Sequence, residues 1–414
     1  MRSFIGFGGL ARVLRHRDFA IYTAGNGISL VGTWMQRLAT GWLTWELTGS
    51  GAWLGVIAFA DLFPTIVIGP VAGAAADRWN RLKVTRVTQS LALLQAISLF
   101  VLTASGQMTI WLLCALTALG GVIAAFNQPA RLALVPSLVP RSEMVAAVAL
   151  ISIIFNLARF IGPAIAGVMI VTTGVAAAFG ANALTYAMFL GALAFLRAGP
   201  PMVTKEKASF LHQVVQGVRY AGSHEGIAAL LLLTIAMSVF SKPLIELLPG
   251  FAAAVFRSGP DGLAMLTSSV GIGAVAGGLW LGGRTHSLGL TRVALACSLA
   301  MALSGALFTA TDRLWAAIPL LAVVGFCMSS AGIASQTLVQ LSVPTAMRGR
   351  VLSLYGLIAR GGPALGALGM GVASEQLGFR WPVALGALLA AAAAIWFLLH
   401  QDRFAAQLER QTIE

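Results

Sequence analysis

The sequence predicts an all-α polytopic membrane protein with twelve transmembrane helices in two six-helix bundles, and three observations carry that prediction. Hydrophobic residues make up 58% of the 414 residues and charged residues only 10%, too few polar side chains to cover a water-soluble globule of this length. The apolar residues gather in about twelve stretches of roughly the 20 residues that a helix needs to cross the hydrocarbon of a bilayer, with none of the ~10-residue alternating segments of a membrane barrel. The second half of the chain repeats features of the first.

The stretches run near 19–46, 51–76, 84–105, 109–130, 144–172, 174–198, 227–256, 261–283, 290–311, 313–342, 349–374 and 380–400. Most of the 27 lysines and arginines fall on one side of this arrangement: the N-terminal arm with Arg2, Arg12, Arg15 and Arg17, the segment from Arg78 to Arg86, Arg131, Arg141, residues 197–219, Arg284, Arg292, Arg348, Arg350 and the tail. Arg257, Arg313 and Arg380 fall on the other. That asymmetry places both termini in the cytoplasm, as expected for a bacterial inner membrane. The net charge of +13 is thereby assigned to membrane topology rather than to nucleic-acid binding. The first apolar run is a full-length span with no small-residue cleavage signal, so the basic N-terminus reads as an amphipathic lead-in rather than a removable signal peptide. Cys114, Cys297 and Cys327 lie in apolar runs without metal-ligand spacing, which points away from a disulfide framework or a metal site; no cofactor is expected.

The longest polar stretch, Gly199 to Gly226, opens on Gly199-Pro200-Pro201 and then sets Phe210, Leu211, Val214, Val215 and Val218 at helical spacing. It reads as a linker with an amphipathic surface helix, dividing the chain into an N-terminal bundle (1–198), the linker (199–226) and a C-terminal bundle with a short cytoplasmic tail (227–414). Ala158-Arg159-Phe160-Ile161-Gly162-Pro163-Ala164 in the fifth span returns as Ala359-Arg360-Gly361-Gly362-Pro363-Ala364 in the eleventh, and Val139-Pro140 returns as Val343-Pro344. Two parallel repeats related by an axis along the membrane normal, with a site at mid-membrane, form a transporter architecture.

The loop after the second span, Gly73-Ala74-Ala75-Ala76-Asp77-Arg78-Trp79-Asn80-Arg81-Leu82-Lys83, is the most specific motif. Its glycine allows close helix approach, and its aspartate can accept hydrogen bonds from a helix N-terminus and from arginine, making a latch at the cytoplasmic mouth. This spacing resembles the G-x-x-x-D-R-x-x-R-x-[KR] signature of the major facilitator superfamily. Ser29-Leu30-Val31-Gly32-Thr33-Trp34-Met35-Gln36, Asn127-Gln128-Pro129-Ala130, Phe155-Asn156-Leu157-Ala158-Arg159 and Arg348-Gly349-Arg350-Val351 are similar to the branch that contains enterobactin exporters and macrolide efflux proteins. The resemblance implies the major facilitator fold, secondary transport, and substrates ranging from siderophores to drugs and lipids. Two departures qualify it. The second-half counterpart of the loop, Gly278 to Arg284, has no aspartate, and the antiporter motif of the fifth span survives only as Gly162-Pro163-Ala164-Ile165-Ala166-Gly167.

An ionisable residue inside a span is costly and marks function by default. Arg159 and Arg360 occupy matched repeat positions and read as gating residues with Gly73, Asp77, Arg78, Arg81, Gly162 and Pro163, substrate contact being the competing role. Asp61, three residues before Pro64, and Arg37 lie at comparable depth, so they form either a static ion pair or a pair that proton or substrate can open. Lys242 and Glu246 are read as an i, i+4 pair on one face of the seventh span, either mutually neutralising or lining a cavity. Gln36, Asn127, Asn156, Gln336 and Gln340 are cavity candidates against a competing role as packing glue, with Trp34 or Phe126 as stacking surface. Trp42, Trp45, Trp53, Trp315 and Trp381 near span ends read as interfacial anchors, and Glu46 as interfacial.

No G-x-x-x-x-G-K-[ST] loop occurs, so ATP does not drive this chain directly. The five histidines form no catalytic constellation, and the chain reads as no enzyme. The expectation is a monomeric proton-coupled exporter of an amphipathic small molecule such as a drug or siderophore, with protons and membrane lipid as its other partners. The alternative is a proton-coupled importer or a lysolipid transporter of the same fold.

Overall fold

The structure, a computed structural model, describes residues 11–196, 210–283 and 289–409, and their side chains except those of residues 70, 71, 73–78, 210–214 and 345–346. Among the described residues the regular structure is helical throughout. The first half comprises α1 (Arg17–Thr48), α2 (Gly51–Arg78), α3 (Arg81–Ala104), α4 (Ile110–Leu134), α5 (Met144–Thr173) and α6 (Val175–Ala194). After the linker helix α7 (Phe210–Gly222) come α8 (Glu225–Phe240), α9 (Pro260–Gly282), α10 (Leu290–Ala310), α11 (Leu314–Ser342), α12 (Thr345–Leu377), α13 (Arg380–Leu399) and a short α14 (Gln401–Leu408). Eleven spans among the described residues are long and apolar enough to cross a membrane. The remaining long helix, α1, has 32 residues, ample length, and the polar run Asn26, Ser29, Thr33, Gln36 and Arg37 accounts for its lower hydropathy.

Local sequence sets the helix ends. Asn80 caps α3 by accepting from the Lys83 N–H at 3.0 Å, and Thr109 caps α4 by accepting from Leu112 at 3.3 Å, each satisfying one of the orphan donors of a first turn. Between α5 and α6 the chain reverses at Gly174 (φ 89°), and at the equivalent place between α12 and α13 it reverses at Gly378 (φ 71°). Both need the left-handed region that a glycine enters without strain. Trp111, Trp315 and Leu399 are 71%, 77% and 76% exposed, a display of large apolar side chains that only lipid accommodates. Trp381 is exposed as an anchor should be, but Trp42 is buried and donates its indole N–H to Glu46 at 2.6 Å, so its place is inside the helix packing.

The chain divides into two compact units, Met1–Leu47 with Phe63–Lys205, and Thr48–Leu62 with Glu206–Glu414. The start of α2 joins the second unit because of its contacts with α12. A Cβ on Gly55 would lie 2.5 Å from the Ala367 carbonyl oxygen, and Glu375 accepts from Ser50 Oγ at 2.7 Å and the Ala52 N–H at 2.9 Å. Glu375 thus caps the N-terminus of α2 from outside the helix.

In the first unit, one end is a buried cluster of Phe19, Tyr22, Leu82, Leu134, Phe189 and Leu193. Arg86 closes the end of α6 by donating to the carbonyls of Leu193 (2.7 Å) and Leu196 (3.2 Å). In the second unit, α9 and α11 approach backbone to backbone, with Gly273 and Gly277 facing the carbonyls of Ala322 and Phe326.

The seventh span is not one helix. α8 ends at Phe240, residues Lys242–Ile245 form a 3₁₀ turn, and a one-turn helix (Leu248–Gly250) runs into a π turn (Phe251–Val255). Pro243 and Pro249 each remove a backbone donor, so neither can continue the hydrogen-bond ladder of the turn before it, and each stands in the first turn of a new short element. Lys242 opens the 3₁₀ turn and Glu246 follows its last residue, so the two stand at a helix break rather than on one continuous α-helix; at the three residues per turn of a 3₁₀ helix, four residues advance about 120° past a full turn.

Candidate functional site

The repeat predicted from sequence becomes two seams, each between the first and fifth spans of a half. In the first unit α1 meets α5 at Gly162, where a Cβ would lie 2.6 Å from Trp34 Cβ and 2.8 Å from the Val31 carbonyl oxygen. In the second unit α8 meets α12 at Gly362, which faces Ser238, and Gly366, which faces the Val239 carbonyl and the Pro243 ring. Small residues four apart allow this approach, and Pro163 and Pro363 sit inside unbroken helices beside them.

Each seam carries cations. On the first, Arg37 Cζ lies 5.7 Å and Arg159 Cζ 5.4 Å from the ring centroid of Trp34, within cation–π range, and Phe155 meets the same indole edge to face at 6.0 Å. Two predicted site residues, Arg37 and Arg159, are thereby brought together by an aromatic residue. On the second, Lys242 stands at the helix break and returns its ammonium to Ser238 Oγ at 3.2 Å. It borders a cavity of about 30 Å³ to which Thr234, Ser298, Ser335 and Tyr355 bring hydroxyls and Met237, Met301 and Met328 bring thioethers. That volume holds water rather than a drug-sized molecule. Arg360, the repeat counterpart of Arg159, is exposed on α12.

The other predicted residues scatter. Gln36 donates to Gln95 at 3.1 Å and accepts from Asn182 at 2.7 Å, tying α1, α3 and α6. Asn127 is buried and donates to Thr88 at 2.8 Å. Asn156 donates back to the Ser152 carbonyl on its own helix at 2.8 Å. Gln336 and Gln340 are exposed one turn apart on α11. Asp61 is half-buried in the part of α2 that belongs to the second unit, and the helix continues through Pro64. Glu246 is half-buried just after the 3₁₀ turn. Of the loop signature, Arg81 donates to the Ala133 carbonyl at 3.2 Å, closing the end of α4. The side chains of Gly73, Asp77 and Arg78 lie outside the described residues.

The sequence placed Arg131 in a cytoplasmic loop, and the structure corrects that. Arg131 lies in α4 with its guanidinium turned into the first unit, donating to Asn26 Oδ1 (3.2 Å), Ser29 Oγ (3.2 Å) and Gln89 Oε1 (2.7 Å), 4.5 Å from the Phe189 ring. Asn26, Ser29 and Gln89 are all buried. Their spacing on otherwise apolar spans was the available signal: Asn26 and Ser29 are one turn apart on α1 and need a common partner.

Among the described residues no group of three His, Cys, Asp or Glu side chains is placed to hold a metal ion. Eleven spans among the described residues, a 32-residue α1 beside them and a glycine seam repeated in each half frame a membrane transporter, and the family comparison places it in the major facilitator superfamily. The chain matches the family described as transmembrane secretion effector over residues 9–411, and it belongs to that family. It is 28% identical to the staphyloferrin A transporter of Staphylococcus aureus, over 84% of this chain and 87% of that one. With the multidrug efflux pump Tap of Mycolicibacterium fortuitum it shares 24%, over 87% and 88%. Enterobactin exporters and macrolide efflux proteins are also among its relatives. Among solved structures it superposes on the nucleoside transporter NupG with a TM-score of 0.71 at 14% identity, covering 92% of this chain and 98% of that one, a likeness of fold alone. The protein is an integral membrane transporter of a small molecule.

Proposed function

We propose that this chain is a proton-coupled exporter of an amphipathic small molecule in a bacterial inner membrane, with both termini cytoplasmic. It is not an enzyme. It works as a monomer by alternating access, with the bundles 1–198 and 227–414 as the moving parts, Arg37, Asp61, Lys242 and Glu246 as the coupling or substrate-binding charges, and Asp77, Arg78 and Arg81 as a latch. The observation that carries the reading is the aromatic and cationic seam of Trp34, Arg37 and Arg159, because charge kept inside a span has to be compensated by function or by a partner. Relatives named for efflux of drugs and siderophores support the outward direction.

The test uses purified protein in vesicles with an imposed pH gradient. A panel of dyes and antibiotics should be extruded against the gradient, and Asp61→Asn together with Glu246→Gln should abolish gradient-driven movement while leaving a monodisperse protein. Unchanged gradient-driven extrusion in the double variant would sink the coupling assignment. Net uptake of the same compounds would replace export by import.

A further inference from the structure

We infer that Glu375 is a gate residue: its carboxylate ties the start of α2 to the end of α12, and transport requires this tie to break and re-form. The gate rests on the alternating access proposed above, and the orientation with both termini cytoplasmic puts it at the outer end. Three observations lead there. First, the negative charge at the start of α2 comes from another helix. α2 has no acidic residue in its own first turn, whereas α9 in the second half has Asp261 there. Ser50 accepts from the Trp53 N–H at 3.2 Å and donates its hydroxyl to Glu375 at 2.7 Å, and the Ala52 N–H donates to the same carboxylate at 2.9 Å. Charge-assisted bonds at the positive end of a helix dipole are strong and directional, so displacing α12 would leave the α2 terminus without its counter-charge. Second, α2 is shared. It is one helix, Gly51–Arg78, yet its first part packs with the second unit and from Phe63 onward it belongs to the first. If the bundles move as bodies, α2 must yield either at its contact with α12 or near Pro64, where a missing donor lets a helix bend. Third, the contact can part cleanly. Gly55 meets the Ala367 carbonyl and Gly371 the Gly51 carbonyl, a close approach of backbones with no side chains interlocked between them. The hydrogen bonds to Glu375 are exposed, so water replaces each partner on separation. The tie has no twin in the first half, because α5 ends on Thr172 and Thr173 without an acid.

The test is hydrogen–deuterium exchange, read by mass spectrometry, on the purified, detergent-solubilised full chain as wild type, Glu375→Gln and Glu375→Ala. Glu375 is exposed, so both changes spare the packing, and Ser50→Ala, which removes one of the donors, stands in for a variant that does not fold. In Glu375→Ala, exchange at residues 52–59 of α2 and 367–374 of α12 should rise about fivefold or more. In Glu375→Gln, which keeps an acceptor oxygen and loses the charge, it should rise by a smaller factor. At the opposite membrane end, residues 81–87 of α3 and 347–353 of α12 should become about twofold better protected, because alternating access closes one end as it opens the other. A merely structural cap would loosen 52–59 and leave the opposite end unmoved. That outcome would overturn the inference, and so would unchanged exchange at 52–59 and 367–374 in Glu375→Ala. Neither gradient nor substrate is present, so the two readings separate. Reciprocal exchange without gradient-driven extrusion in vesicles would fail the export reading alone, and extrusion without reciprocal exchange would fail the gate alone.

Discussion

The two seams are built from the same parts and solve the same packing problem differently. In the first, α1 runs unbroken past Gly162, and the charges stand on intact helices where an aromatic ring holds them. In the second, α8 stops at Phe240, the Pro243 ring itself packs on Gly366, and the cation sits at the break with a hydroxyl for a partner. The Gly-Pro pair of the repeat preserved close approach, because a glycine facing a backbone carbonyl has no substitute. The cation stands at nearly the same place on each seam: Arg37 lies three residues beyond Trp34, which meets Gly162, and Lys242 four beyond Ser238, which meets Gly362. The difference gives the halves different stiffness. The first presents fixed geometry, suited to recognising a shape. The second surrounds a small hydroxyl-lined cavity with methionines, side chains that repack readily, beside a helix whose broken ladder bends at low cost.

The largest effect should come from closing the seams sterically. Gly366→Ala drives a methyl into the Val239 carbonyl and Gly162→Ala drives one into Trp34 and Val31. Backbone cannot rotate away, so each should cost about 3 kcal/mol or more, seen as loss of the monodisperse peak or a large drop in unfolding temperature. Tolerance at one glycine and not the other would show that the seams are unequal in tightness as well as in charge.

Next is the buried arginine that stiffens the first half. Arg131→Leu leaves Asn26, Ser29 and Gln89 acceptors in the interior without their donor, for about 2–4 kcal/mol. Arg131→Lys should recover part of this, since an ammonium reaches one or two acceptors but not all three. If both variants unfold like the wild type, the first half owes its rigidity to packing alone.

How far such features were legible in the sequence depends on how many residues encode them. The spans and the Gly-Pro repeat are written over many positions in hydropathy and glycine spacing; eleven described spans are long and apolar enough to cross a membrane, the seventh with a break, and Gly162 and Gly362 stand on matching helix seams. Single residues fared worse. Arg131 stands where a span gives way to a charged loop, and hydropathy assigns such a residue to the loop. Only the buried polar set on α1 and α3 says that its guanidinium turns inward, and that is a tertiary fact. Gln36 and Asn127 hydrogen-bond across helices, and polarity in a span has two explanations, cavity lining and helix packing, between which a sequence does not choose. The break after Phe240 was readable, since Pro243 and Pro249 flank Glu246, but a hydrophobic run of the right length concealed it.

A smaller effect tests the second seam. Ser238→Ala removes the hydroxyl that accepts from Lys242 in a fully buried position, at about 1 kcal/mol, and should lower the unfolding temperature by a few degrees at most. A shift as large as that of Arg131→Leu would mean that the break is held by this bond rather than by its prolines.

The smallest expected effect, loss of the Glu409 charge alone, lies at the tail, where the second half has a brace. α10 starts at Gly289, which has a positive φ of 79° and no side chain with which to cap the helix. The cap comes from the tail: Glu409 accepts from the N–H groups of Gly289 and Thr291, both at 3.0 Å, while Gln407 accepts from the Gly226 N–H at 2.9 Å in the first turn of α8. Leu408 between them is buried against Gly226. A carboxylate at a helix N-terminus contributes both hydrogen bonding and charge against the helix dipole. Glu409→Gln keeps an acceptor oxygen and loses the charge, so it should cost roughly 0.3–1 kcal/mol, and less in high salt. Glu409→Ala loses both and should cost about 1–2 kcal/mol. The two variants therefore separate the two contributions: equal destabilisation would assign the brace to charge, and destabilisation by alanine alone would assign it to the hydrogen bonds.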